Sequence, residues 1–133
     1  MLDAGYLDDL FAGFGRVSVR RMFGGQGVFV SGLMVAIVIG DVLYVKADAE
    51  SEARHRAAGC EPFRYVSWLK AGGTRTTTLS YWQVPEGAGD DADAFRPWAS
   101  GAVAAAIRAG QAAEAARARR RARQRQPAAD RAG

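Results

Sequence analysis

The sequence predicts an α+β fold with two layers, in which helices flank an antiparallel β-sheet. The main observation is the density of β-branched and aromatic residues between positions 16 and 46, where glycine-containing pairs separate short extended runs. Two further extended runs follow, at residues 62–69 and 74–84, and helical patterns precede and follow the whole region. Strands grouped together, with helices outside them, are typical of an α+β architecture.

The first element is an amphipathic helix, predicted over residues 2–14. Leu7, Leu10 and Phe14 recur at the spacing of one helical face, and Asp8 and Asp9 lie opposite. We expect this helix to cover one face of the sheet.

Four short strands follow, and tight turns join them. Ser31-Gly32 and Gly40-Asp41 are two-residue turn signals between apolar runs. Residues 33–39 are apolar at every position, although the side chains of a strand alternate between two faces. This run is therefore a central strand covered on both sides, or one of its faces meets another subunit. The four predicted strands occupy residues 16–23, 27–30, 33–39 and 42–46.

The glycine cluster at residues 24–27 does not match a phosphate-binding loop. A dinucleotide fingerprint needs a third glycine where Val30 stands, and a helix rather than a strand must follow. We interpret the cluster as a bulge or sharp bend in the sheet.

The second half begins with a short helix at residues 49–58, which Asp48 is placed to cap and Gly59 to end. Strands follow at residues 62–69 and 74–84, separated by a glycine-containing loop.

The last helix is capped by Asp91 or Asp93, and Pro97 is tolerable there only in the first turn. Its apolar stripe fades beyond Ala109. We therefore expect a domain over residues 1–109 and an Ala/Arg-rich tail over residues 110–133, first helical and then disordered from Pro127.

Five short motifs succeed one another along the chain: Arg21-Met22-Phe23-Gly24-Gly25, Gly32-Leu33-Met34, Leu43-Tyr44-Val45-Lys46-Ala47-Asp48, Gly59 with Pro62-Phe63, and Ser80-Tyr81-Trp82-Gln83-Val84-Pro85. Together they resemble the N-terminal domain of the TfoX/Sxy family of competence regulators, over about residues 5–108. The resemblance implies a small domain similar to secretion-chaperone-like folds. Full-length members carry a second, C-terminal domain and act with a transcription activator on competence genes. The resemblance implies a bacterial regulator. This sequence departs from the two-domain plan, because only the Arg-rich tail follows Ile107, and we therefore expect a stand-alone regulatory or adaptor module.

The charge of the chain is unevenly distributed. Residues 101–133 carry eight arginines against Glu114 and Asp130, a local charge of +6, which leaves −2 for residues 1–100. Six of these arginines are candidates for sequence-independent contacts with nucleic-acid phosphates, namely Arg117, Arg119, Arg120, Arg121, Arg123 and Arg125. The alternative is a solvated helical tail.

The residues that usually build catalytic or metal sites are scarce. Cys60 and His55 are the single cysteine and histidine of the sequence, too few for a zinc site of the usual soft ligands. The pair Asp90-Asp91 lies among glycines, where helix capping explains it. We expect no enzymatic activity, no metal and no cofactor. The sequence has neither a signal peptide nor a membrane span, so a cytoplasmic location is expected.

Protein binding is the function that we expect. The apolar strand at residues 33–39, exposed aromatic residues and a basic spot on the sheet would provide the surface, because aromatic and arginine side chains anchor interfaces. A second copy of the chain is one candidate partner, and the transcription machinery is another. The candidate partner-binding residues are Arg20, Arg21, Lys46, Trp68, Tyr81 and Trp82.

Overall fold

A computed structural model describes residues 1–125 of the chain and shows an α+β fold. Within these residues the elements are α1 (Ala4–Leu10), β1 (Val17–Met22), β2 (Gly25–Val30), β3 (Leu33–Ile39), β4 (Val42–Lys46), α2 (Glu52–Ala57), β5 (Pro62–Trp68), β6 (Thr74–Gln83) and α3 (Ala92–Arg125).

The described strands form one antiparallel sheet in the order β1-β2-β3-β4-β6-β5. The first four make the predicted meander. Both predicted turns are confirmed: Ser31-Gly32 and Gly40-Asp41 have positive φ at each residue, as type I′ turns require. The third turn is Phe23-Gly24, with φ of 56° and 72°. Strand β2 therefore starts at Gly25, two residues earlier than predicted, and the glycine cluster is a turn followed by a strand.

Helices α1 and α3 pack on the same face of the sheet and enclose the hydrophobic core. Phe11 from the end of α1 meets Phe95 of α3 edge-to-face, with ring centroids 5.3 Å apart, and both side chains are fully buried. Alanines on α3 allow its backbone to approach β3 and β4 closely. The buried residues of this core are Leu7, Leu10, Phe11, Val28, Val30, Val35, Ala36, Val38, Leu43, Val45, Phe95, Ala99, Ala102 and Ala106.

Strand β3 is central, as predicted, but helices cover only one of its faces. Val38 points into the helical core. Ile37 points to the other side and is nevertheless buried, because side chains from neighbouring strands surround it. Met34 and Ile39, which share the side of Ile37, are partly exposed. The expectation of cover on both sides is thus corrected: no helix within residues 1–125 packs on the second face.

Asp48 does not cap α2, contrary to the sequence prediction. The helix starts later, at Glu52, with Ser51 at the N-cap. Asp48 instead accepts two hydrogen bonds from Arg108 of α3, at 2.7 and 2.9 Å, and one from the backbone N–H of Glu50. Gly59 ends the helix with a positive φ of 79°, as predicted.

Helix α3 runs without interruption through the predicted domain boundary at residue 109. Asp91 caps it by accepting a hydrogen bond from the backbone N–H of Ala94 at 2.8 Å. Pro97 stands six residues in, beyond the first turn, which corrects the expectation for its position. From Gln111 to Arg125 all side chains except Ala116 are exposed. The disorder expected from Pro127 onward falls outside the described residues.

Candidate functional site

The face of the sheet that points away from α1 and α3, here called the open face, is the most distinctive surface of the described chain. Strand register defines its members, because residues paired across an antiparallel sheet point to the same side. Its large apolar, aromatic and charged members include Arg20, Phe29, Met34, Ile37, Ile39, Tyr44, Lys46, Phe63, Tyr65, Arg75, Leu79 and Tyr81. Smaller or polar side chains such as Ser18, Ser67, Thr77 and Gln83 share the face.

A groove with a volume of about 510 Å³ crosses the open face. Its aliphatic floor comes from β3 and β6, and aromatic side chains stand at its edges. At one end Phe23, in the turn between β1 and β2, is 74% exposed, and at the other Tyr65 is 45% exposed. Every lining residue is apolar or aromatic: Phe23, Met34, Ile37, Ile39, Phe63, Tyr65, Leu79 and Tyr81.

Contacts among the aromatic rings hold one side of the groove in place. Phe63 meets Tyr44 edge-to-face, with centroids 5.2 Å apart, and lies 6.3 Å from Tyr65 at a tilt of 32°. Such pairs contribute about 0.5–1.5 kcal/mol beyond the area that they bury. The groove wall therefore has a defined shape before any partner binds.

Two cations lie directly over rings of the open face. The guanidinium of Arg20 is 4.8 Å from the centroid of Phe29, and the ammonium of Lys46 is 5.0 Å from that of Tyr81. Lys46 also donates a hydrogen bond to the hydroxyl of Ser80 at 3.2 Å. Arg75 points to the same side near the tip of the β5–β6 hairpin, opposite Ser67. The open face therefore combines the apolar groove with three positive charges, and one of them, Lys46, lies over the groove-lining ring of Tyr81.

The six predicted partner-binding residues do not form one surface. Arg20, Lys46 and Tyr81 lie on the open face, whereas Arg21, Trp68 and Trp82 point to the other side of the sheet. Trp68 is 84% exposed at the tip of the β5–β6 hairpin.

The expected exposure of Tyr81 and Trp82 was wrong. Tyr81 is 8% and Trp82 is 6% exposed, because the second half of β6 lies between β4 and β5 inside the sheet. Tyr81 still contributes to the groove, but Trp82 packs beneath α2, with Arg56 5.2 Å from its ring.

Sequence reasoning offered the strand at residues 33–39 and Tyr81 as a partner surface, which covers half of the groove lining, but it missed the other half: Phe23, Phe63, Tyr65 and Leu79. Phe63 and Tyr65 are two residues apart in β5, as Leu79 and Tyr81 are in β6, so each pair lies on one face of its strand. The sequence of each strand alone therefore indicated an apolar face. Combining these signals into one groove required the pairing of β6 with β4, which no local pattern encodes.

His55 and Cys60 are both buried. The Nδ1 atom of His55 lies 2.8 Å from the carbonyl oxygen of Gln83. The centroid of the imidazole ring is 6.1 Å from that of Trp82 and 4.8 Å from that of Trp98, and both ring pairs are tilted. Burial lowers the pKa of His55 and raises the pKa of the Cys60 thiol. Among residues 1–125, no three His, Cys, Asp or Glu side chains are grouped so that they could hold a metal ion.

The candidate nucleic-acid residues lie on the exposed end of α3. Glu114 accepts hydrogen bonds from Arg117 at 2.8 Å and from Arg121 at 3.2 Å. Arg119 and Arg120 are exposed between these positions. Arg123 and Arg125 follow on the same exposed segment, so the arginines surround the helix rather than forming one stripe. None of the helices in the described part of the chain is both long and apolar enough to cross a membrane.

Comparison with known proteins identifies the family. The family model of the TfoX N-terminal domain matches residues 9–106, which include every strand of the sheet and the whole open face. The DNA transformation protein TfoX1 of Aliivibrio fischeri is 34% identical over 89 residues, which make up 64% of this chain and 40% of that relative. The chain thus matches less than half the length of this relative. The resemblance found in the sequence is confirmed, and the chain belongs to the TfoX N-terminal domain family.

Proposed function

We propose that this chain is a non-enzymatic regulatory module of DNA transformation that binds a protein partner through the open face of its sheet. The link to transformation is supported by the name of the related protein, DNA transformation protein TfoX1. The proposal includes action in the cytoplasm, as expected from the sequence, and a partner in the transcription machinery, which the family resemblance implies.

The apolar open face is the observation that carries this proposal. An antiparallel sheet with one face toward water normally presents polar side chains there. Here β3 presents Met34, Ile37 and Ile39, and the adjoining parts of β5 and β6 add four further apolar or aromatic residues that line the same groove. The polar open-face residues of β5 and β6 lie outside the groove lining. Contiguous apolar surface on a folded domain is typical of an interaction site. Burial of an exposed side chain of the groove such as Phe23, which is 74% exposed, would contribute up to about 1.5–3 kcal/mol before the entropic cost of association.

A pair of neighbouring substitutions tests the proposal. Tyr65 and Val66 are both exposed residues of β5, but Tyr65 lines the groove and Val66 points to the opposite side. In a source strain that lacks the gene, we expect complementation with Tyr65→Ala to reduce transformation frequency about tenfold or more, since an anchoring aromatic is lost. Complementation with Val66→Ala should restore the normal frequency.

Equal frequencies for the two variants, at equal protein levels in the cell, would contradict the proposed role of the open face. Tyr65→Ala should lower the free energy of unfolding by only about 1 kcal/mol, because the side chain is 45% exposed and its ring lies 6.3 Å from that of Phe63.

Nucleic-acid binding through α3 is the second candidate function. It is favoured by the continuation of α3 to Arg125, which presents six arginines on an exposed helical segment of the described chain. Glu114 neutralises part of this charge by pairing with Arg117 and Arg121.

A filter-binding titration with duplex DNA at two salt concentrations tests this second candidate. The full chain should bind more weakly at the higher salt concentration, with a slope of about −0.9 in log–log form for each phosphate contact. Combined substitution of Arg119, Arg120 and Arg125 by glutamine should reduce that slope. Absence of salt-dependent binding by the full chain would exclude the candidate.

A further inference from the structure

We propose that the occupant of the groove is an acidic amphipathic segment of the partner protein, in which apolar or aromatic side chains alternate with aspartate or glutamate. This inference rests on the proposed function and specifies the chemistry of the partner at the same site. It follows from the shape of the groove and from the distribution of charge around it.

The groove is suited to inserted side chains rather than to a flat ligand. Its volume of about 510 Å³ lies within the range of sites that enclose apolar groups. Met34, Ile37 and Ile39 provide a floor of flexible or branched aliphatic groups. Peptide segments bind such grooves by burying a few apolar anchors while their polar side chains contact the rim.

The strands supply only positive charge to this face. None of the six strands in the described part of the chain contains an aspartate or a glutamate. Three cations point to the open face, namely Arg20, Lys46 and Arg75. Arg20 and Lys46 lie against rings of the same face, so these charges are held near the groove.

Acidic residues at the strand ends are already paired within the chain. Asp41, in the turn between β3 and β4, forms an ion pair with the amino terminus of Met1. Asp48, directly after β4, is bound by Arg108. Glu61, directly before β5, pairs with Arg64. None of these three carboxylates lines the groove, so we expect a partner to bring the complementary negative charge.

A second copy of the chain fits this face poorly. A symmetric dimer would place the same patch on both sides of the interface, so neither subunit's strands would supply a carboxylate to pair with the cations of the other. Like charges on both sides without such carboxylates oppose association. The charge pattern therefore favours a different, acidic protein over self-association.

Single-stranded nucleic acid is also negatively charged, but the groove is less suited to it. Such ligands bind on platforms where successive bases stack on exposed aromatic faces. Here Phe63 and Tyr44 are packed edge-to-face against each other, and the centre of the groove is aliphatic. Both features favour inserted side chains over stacked bases.

Two synthetic peptides test the inference by fluorescence anisotropy with the full chain. The first alternates glutamate with leucine and phenylalanine, and the second has lysine in place of every glutamate. We expect the acidic peptide to bind and the lysine peptide to bind at least about tenfold more weakly, a difference that added salt should reduce.

Pairs of single substitutions, one in the groove and one outside it, show whether the acidic peptide binds in the groove. Tyr65→Ala should weaken binding of the acidic peptide about tenfold, and Val66→Ala should not, because only Tyr65 faces the groove. Lys46→Glu should also weaken binding, whereas Lys70→Glu in the exposed β5–β6 loop makes the same change in net charge and should leave it intact.

Several results would overturn the inference. Equal binding of the two peptides would show that charge does not select the partner. Binding of a single-stranded oligonucleotide that Tyr65→Ala abolishes would assign the groove to nucleic acid. If neither peptide binds while Tyr65→Ala still lowers transformation frequency, the acidic partner is wrong and the proposed function stands. If that substitution leaves transformation unchanged, the proposed function itself fails.

Discussion

Replacement of Gly25 by alanine should destabilise the fold far more than the same replacement one residue earlier. A Cβ atom on Gly25 would lie 3.1 Å from the carbonyl carbon of Val38 and 3.0 Å from Cδ1 of Ile39, and closer still to the carbonyl oxygen of Val38. Ordinary contact begins only at 3.4 Å. Because the obstacle is backbone on the neighbouring strand, β2 and β3 would have to separate.

The size of the effect follows from two costs. Overpacking of this kind costs about 1–3 kcal/mol. Separation would also weaken the backbone hydrogen bonds near the pairing of Gln26 with Val38, at about 1 kcal/mol each. We therefore expect Gly25→Ala to lower the free energy of unfolding by about 2–4 kcal/mol, a large part of the 5–15 kcal/mol typical of a domain.

Gly24→Ala is the matched control. Gly24 has a φ of 72°, and a Cβ atom there would meet nothing within 4 Å, so the cost should be limited to backbone strain of about 1 kcal/mol. Urea unfolding of both variants, followed by circular dichroism, measures the difference. Equal midpoints would refute the interpretation that close strand packing, rather than the turn, demands the glycine at position 25.

Three further predictions concern other parts of the molecule. Burial lowers the pKa of His55 below 6.5, so the unfolded state binds the proton more tightly than the folded state. The free energy of unfolding, measured with urea, should therefore fall as the pH drops below about 6.5, by at most about 1.4 kcal/mol per pH unit. Hydrogen bonding to Arg108 lowers the pKa of Asp48 to about 2, so the ionised carboxylate should stabilise the fold fully above about pH 4 and lose this effect toward pH 2. In the Arg108→Gln variant, NMR titration should show the pKa of Asp48 returning toward 3.8. Trp82→Ala should cost about 3–5 kcal/mol in thermal unfolding, whereas Trp68→Ala, with an 84% exposed side chain, should change stability by less than about 0.5 kcal/mol.

The strands, turns and helix ends could be predicted because residues that are close together in the sequence determine them. Alternation of apolar residues and pairs such as Ser31-Gly32 determine where strands begin and end, and the sheet reproduces them within a few residues. Gly59 ends α2 for an equally local reason, since its left-handed conformation suits a residue without Cβ.

The candidate site could not be predicted in the same way. Its groove depends on β6 returning to pair with β4, which places Tyr81 beside Lys46 and buries it. Asp48 was assigned to the wrong role because its true partner, Arg108, lies 60 residues away. These are tertiary contacts, and a pattern of neighbouring residues does not encode them.

Photocrosslinking from adjacent positions of β5 tests the central claim most directly. A photoreactive phenylalanine analogue placed at Tyr65 faces the groove, and the same group at Val66 faces away from it. In living source cells, we expect a discrete protein adduct from position 65 and none from position 66. Adducts of the same protein at both positions, or an adduct from position 66 alone, would contradict binding through the open face.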